Sequence, residues 1–209
     1  MIRIGTIYPE RLNLNGDQGN ILALTKFLRA AGFAVEVVPV VNTEQALNCN
    51  FVLLGHGSMA AMDSVDGVLG SIDFNSVLAQ IPGMAVGSGY EYLSSKGYAG
   101  QAIVRGERES EFQVGNLGSL KALGYRNTDS GLPNLAFASQ WICSMLHGPV
   151  LAKNPGLLYR AARAAVASAG LDWPGNPSEE FRTWVATLND VAARLWAFET
   201  EKTFEPLVI

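Results

Sequence analysis

Apolar residues in this chain gather into short continuous runs, separated by longer stretches with helical spacing. The β-branched run Ile2 to Ile7 predicts a first strand, Ala34 to Val41 a second, Asn50 to Leu54 a third and Met84 to Val86 a fourth. Between the first two, Ile21, Leu24, Phe27, Leu28 and Ala31 share one face, which predicts a helix over 20–31 stopped by Gly32. Val77 to Ala79 belongs to a further short helix. Residues 100–140 are less regular, with turn signals at Gly115, Gly118, Gly124 and the NTDSGLPN segment. Trp141 to Leu146 predicts another strand, running into His147-Gly148-Pro149. The alanine-rich stretch Leu157 to Ala169 predicts a helix ended by Gly170. A last helix, at about 177–199, is capped by Asn176 or Ser178 and carries Glu179 and Glu180 at the positive end of its dipole. Its stripe of Phe181, Trp184, Leu188, Val191, Leu195 and Phe198 faces either the core or another protein.

Continuous apolar strands alternating with helices predict an α/β fold, with a mostly parallel sheet covered on both faces. No linker divides the chain, so one domain over 1–209 is expected. In such sheets ligands bind beyond the carboxyl ends of the strands. Three glycine-bearing loops, GDQGN, GHGSM and GSG, fall there.

Composition narrows the setting. With 48% hydrophobic and 16% charged residues, a well-filled core is expected. A net charge of −4 argues against a nucleic-acid partner or an anionic membrane surface. No apolar run approaches the roughly 20 residues needed to span a bilayer. The N-terminal MIRIGTIYPERLN lacks the apolar core of a signal peptide, and the two cysteines, Cys49 and Cys143, suit a reducing compartment. The expectation is a soluble cytoplasmic protein.

The stretch AVGSGYEYL, residues 85–93, reads as a strand end, a glycine turn and a helix start. That corner can lift a nucleophile above a sheet, with amides at the helix start stabilising an oxyanion. It can equally be a tight connection whose glycines serve packing. His147, at a strand end, suits either a general base or a hydrogen-bonded structural residue. His56, in LLGHGSM, is far from it in sequence, so no zinc-ligand spacing arises and no metal is expected. In one continuous strand, Cys143 and His147 would share a face about 13 Å apart, too far to act as a pair. GDQGN lacks the Gly-Lys-Ser/Thr ending of a phosphate loop, so no nucleotide cofactor is expected.

Together the loops resemble a family. YPERLNLNGDQGN, the glycine loop after the third strand, the corner at Gly87 and MLHGPVLAKNP occur in the order of the CobB/CobQ-type class I glutamine amidotransferases. Within these the chain is most similar to the GatD-like small subunit of lipid II isoglutaminyl synthase, over about residues 1–170. The resemblance implies a flavodoxin-like three-layer fold and a cysteine–histidine pair that hydrolyses glutamine. The ammonia would pass to a Mur-ligase-like partner that amidates a peptidoglycan precursor. His147 falls on the family's histidine position. The family corner, similar to A-I-C-G-G-Y-Q, puts Gly87 where the cysteine belongs and Glu91 at the glutamine position. The oxyanion loop, G-G-G-Q-D-like in the family, falls on Gly55, His56, Gly57, Ser58 and Met59. The segment between the corner and His147 is short, and its usual middle motif is absent.

Glycine cannot attack an amide, and Ser88 is one position late for the task, with a hydroxyl that needs a well-placed base. The leading expectation is therefore a catalytically degenerate amidotransferase-like subunit. The alternatives are an active amidotransferase using Ser88 or another group with His147, or an unrelated Ser/His hydrolase. Glu91 is either a pocket carboxylate that would repel a glutamine carboxylate, or a solvated residue on a helix's first turn.

Overall fold

The computed structural model describes residues 1–209. In chain order the elements are β1 (Ile2–Ile7), α1 (Gln18–Ala30), β2 (Val35–Val40), α2 (Thr43–Leu47), β3 (Phe51–Leu54), α3 (Met59–Gly70), α4 (Phe74–Gln80), β4 (Gly83–Val86) and α5 (Ser88–Ser95). There follow β5 (Arg105–Leu117), β6 (Leu120–Ser130), β7 (Leu135–Ala138), β8 (Trp141–Ser144), β9 (Leu146–His147), α6 (Val150–Lys153), α7 (Pro155–Ser168) and α8 (Glu179–Glu199).

The main sheet has the order β2-β1-β3-β4-β8-β7, parallel throughout except for the antiparallel edge strand β7. Its central strands are buried on both faces, which is why they read as unbroken apolar runs. Ile4, Phe51, Leu53, Met84 and Ile142 pack against α1, α7 and α8. Val52, Leu54, Ala85 and Cys143 face α3, α4 and α5. No helix is long and apolar enough to cross a membrane.

Three parts differ from the sequence expectation. Residues 105–130 form a long hairpin, β5–β6, that joins β9 in a second, antiparallel sheet. The run Trp141 to Leu146 is broken at Met145, so Cys143 belongs to the main sheet and His147 to the second. Ser144 makes the break by turning its hydroxyl onto the Leu146 amide and carbonyl, both at 3.0 Å. In α8 the buried residues are Phe181, Val185, Ala192 and Trp196, whereas Val191 and Phe198 are exposed. A strict seven-residue repeat drifts by about 20° per repeat around a straight helix, which carries the expected stripe off the buried face.

The two segments that carried the resemblance meet at the carboxyl end of the sheet. Asn20, fully buried, donates from Nδ2 to the Asp17 and Gly148 carbonyls, at 3.0 and 3.1 Å. Its Oδ1 accepts the Leu151 amide at 2.8 Å. A Cβ on Gly19 would stand 2.7 Å from Cβ of Pro149, so only glycine allows this approach. Asn20→Ala leaves the Asp17 and Gly148 carbonyls with their backbone donors but orphans the buried Leu151 amide, at a cost of about 1–3 kcal/mol. Thermal unfolding of that variant is expected roughly 2–12 °C below the parent; an unchanged midpoint would exclude the clasp.

Candidate functional site

Beyond the carboxyl ends of β3, β4 and β8, the structure brings together Gly87, Ser88, His56, His147 and Asp17. Gly87 lies between β4 and α5 with φ +53 and ψ −118, a conformation open to glycine and strained for other residues. The corner thus has the sharp strand-to-helix geometry expected of a nucleophile position. The two histidines, distant in sequence, pack together with ring centroids 4.5 Å apart. A Cβ built on Gly87 would stand 2.6 Å from His56 Nδ1 and 2.7 Å from His147 Cε1.

The amides of the corner are already engaged. Ser88 N–H donates to His56 Nδ1 at 3.0 Å, which leaves the His56 proton on Nε2 in the neutral ring. Gly57 N–H donates to Ser88 Oγ at 2.9 Å, and Ser88 Oγ donates in turn to the Gly57 carbonyl at 3.0 Å. His56 N–H donates to Asp17 Oδ2 at 3.0 Å, and Gly87 N–H to the Ser144 carbonyl at 2.8 Å. Ser88 therefore points onto the GHGSM loop and bonds to neither histidine side chain through its hydroxyl. Ser58 caps α3, a helix not expected from the sequence, by accepting the Ala61 amide. Met59, the first residue of that helix, is exposed, and Gly55 packs under the Leu12 carbonyl.

Glu91, on the first turn of α5, is held by Arg105 at 2.7 Å; the same guanidinium nitrogen reaches Asp129 at 2.6 Å. The hairpin root thus engages the carboxylate from outside the corner. Cys49 and Cys143 are free and buried, and burial raises their thiols to about 11 and about 12. Neither has the thiolate character of a nucleophile. No cluster of three or more His, Cys, Asp or Glu side chains could hold a metal ion. A depression of about 320 Å³, beside Phe51, Phe137 and Arg160, lies at the amino ends of β3 and β4, away from this corner.

Asp17 was hidden inside a loop read only for its glycines. As the residue before α1 it would ordinarily cap that helix, yet its carboxylate turns to the His56 amide instead. Its Oδ1 and both ring nitrogens of His147 are buried without side-chain partners.

No protein-family model and no curated protein matches the sequence. Among solved structures, a GMP synthase-type protein from Thermoplasma acidophilum aligns with a TM-score of 0.50 at 15% identity, covering 81% of this chain and 94% of its own. The glutaminase domain of Trypanosoma brucei CTP synthase aligns at 0.49 and 10% identity, over 86% of this chain and 99% of its own. A glutamine amidotransferase from Thermotoga maritima aligns at 0.49 and 13% identity, over 94% of each chain. The fold is that of the class I glutamine amidotransferases. At these identities the likeness carries the fold alone.

Burial lowers His147 to about 4, assisted by His56, Arg126 and Arg108 and only partly offset by the Asn127 backbone. Burial lowers His56 as well. Asp17 is raised to about 6 by burial, against the amides of His56 and Gly148. The signs oppose. The histidine contribution to stability is present above about pH 6.5 and is lost as pH falls towards about 4; the Asp17 contribution is present below about pH 4 and is lost as pH rises through about 6. Between about pH 4 and 7, the melting temperature of Asp17→Asn is expected to rise relative to the parent with increasing pH, and that of His147→Gln to fall. Curves parallel to the parent would contradict both assignments.

Proposed function

We propose that the chain is one amidotransferase-type domain that has kept the fold and given up glutamine hydrolysis, serving as a non-catalytic subunit. The observation that carries this reading is the corner itself. Glycine stands at the nucleophile position, two neutral imidazoles fill the space of its missing side chain, and the neighbouring amides bond within the protein. A glutaminase needs a nucleophile and free donors aimed at the developing oxyanion, and this corner supplies neither.

The finer assignment rests on the resemblance of the GDQGN and HGPVLAKNP segments. The partner would be a Mur-ligase-like synthetase acting in the cytoplasm on a peptidoglycan precursor, with this chain as scaffold or regulator. The stitching of both segments by Asn20 explains why they persist without catalysis: they hold the carboxyl end of the sheet together.

The test begins by capturing the tagged protein from its native cells and identifying what accompanies it. A Mur-ligase-like protein in stoichiometric amount supports the reading; its absence removes the peptidoglycan assignment. The recovered complex is then assayed for glutamate release from glutamine. Release is expected at the background rate and unchanged by His147→Ala. Release that His147→Ala abolishes would favour an active amidotransferase instead.

A further inference from the structure

The two rings that crowd Gly87 are held by different means. His147 sits on β9, opposite Tyr125 in the ladder, and is 4% exposed with no side-chain partner on either ring nitrogen. Apart from the Asn127 backbone, its side chain is positioned by packing, and the ring in contact is His56 at 4.5 Å. His56 sits in the loop between β3 and α3, and its position is specified by directional bonds. Its ring accepts the Ser88 amide at 3.0 Å, and its own amide is taken by Asp17 at 3.0 Å. Two of its ring atoms, Nδ1 and Cγ, lie 2.6 and 2.9 Å from the place of a Cβ at position 87. Non-bonded heavy atoms prefer about 3.5–4.0 Å, so any side chain there must displace this ring.

Resting on the non-catalytic reading above, we propose that His56 is the positioning residue that closes the corner. Its imidazole occupies the volume of a side chain at position 87, takes the Ser88 amide from any ligand carbonyl, and pins His147 beside it. The glycine is then one part of a coordinated change. A thiol restored at position 87 alone meets two rings with nowhere to go. Truncating His56 at Cβ removes both clashing atoms, frees the Ser88 donor, and gives His147 room to lean away.

The test compares Gly87→Cys, His56→Ala and the double variant in the otherwise unchanged full-length protein. Iodoacetamide reports access to the introduced thiol, because Cys49 and Cys143 are buried with raised thiols and react slowly. The backbone strain of a non-glycine residue at φ +53 is common to both thiol variants and cancels between them. The double variant is expected to be alkylated about tenfold faster or more than Gly87→Cys, and millimolar imidazole, refilling the vacated space, should slow it again. Should Gly87→Cys fail to fold, His56→Ala alone decides. Its melting temperature is expected to fall, and to recover with imidazole while the parent stays unmoved. Equal alkylation rates in the two thiol variants, or no imidazole effect on His56→Ala, would overturn the role of His56. Glutamate release by the unmodified protein would instead remove the non-catalytic reading on which it rests.

Discussion

The carboxyl end of the sheet depends on the buried side chain of Asn20. One amide joins the helix start at Asp17, the turn at Gly148 and the amide of Leu151, segments far apart in the chain. Each such bond contributes about 1 kcal/mol net, but the groups it satisfies would cost more if left bare in the core. The clasp fixes the start of α1 against the turn that follows His147, and Gly19 permits it by letting Pro149 approach. Asn154 does the same one turn later. It accepts the Leu123 amide at 2.8 Å, donates to the Leu123 carbonyl at 2.9 Å, and so ties the hairpin to α6. The histidine of the corner is therefore placed by two asparagines that do no chemistry.

On the non-catalytic reading proposed above, this arrangement lets the corner keep its shape without a nucleophile. The positions of β4, β8 and β9 are set by core packing and by these amide clasps, and none of these contacts involves a side chain at position 87. A nucleophile at φ +53 stores strain of roughly 1–3 kcal/mol, which glycine does not. Without a nucleophile to hold, glycine is the lower-energy occupant of this conformation. The emptied space then invites a neighbour, since a void lined by ring atoms forfeits their dispersion contacts. His56 fills it and finds a donor in Ser88.

Much of the sheet was legible because parallel strands buried on both faces have no polar positions to confuse their boundaries. The hairpin was not. Residues 105–111 of β5 are exposed on both faces, so the alternation that signals a half-buried strand is absent. The Gly118-Ser119 pair between Leu117 and Leu120 was the available clue, a two-residue hairpin turn. Helix α3 was masked by Asp, Ser and Gly in MDSVDGVLG, with only Val65 and Leu69 buried. In α8 the heptad spacing drew Val191 and Phe198 into a stripe that the straight helix leaves in solvent. At the site, the structure brings Gly87, Ser88, His56 and His147 together, a relation the sequence did not announce. Nothing in the spacing of His56 and His147 announces a packed pair, because the contact is made by the sheet and not by the chain.

The electrostatics of the corner follow from the same closure. Two imidazoles at 4.5 Å, His147 buried and His56 half-buried, repel each other when both are charged, and burial already disfavours the first proton. Arg126, buried on β6 and bonded to the Leu132 carbonyl and Asn134, adds to the positive field at His147. A working acid–base histidine is tuned towards neutrality with a carboxylate or carbonyl aimed at its ring. Here the buried carboxylate, Asp17, bonds to a backbone amide of the neighbouring loop, and the ring nitrogens of His147 have no side-chain partner. A histidine placed so is held neutral by burial and has no carboxylate to relay its proton, which is what the non-catalytic reading proposed above requires of it.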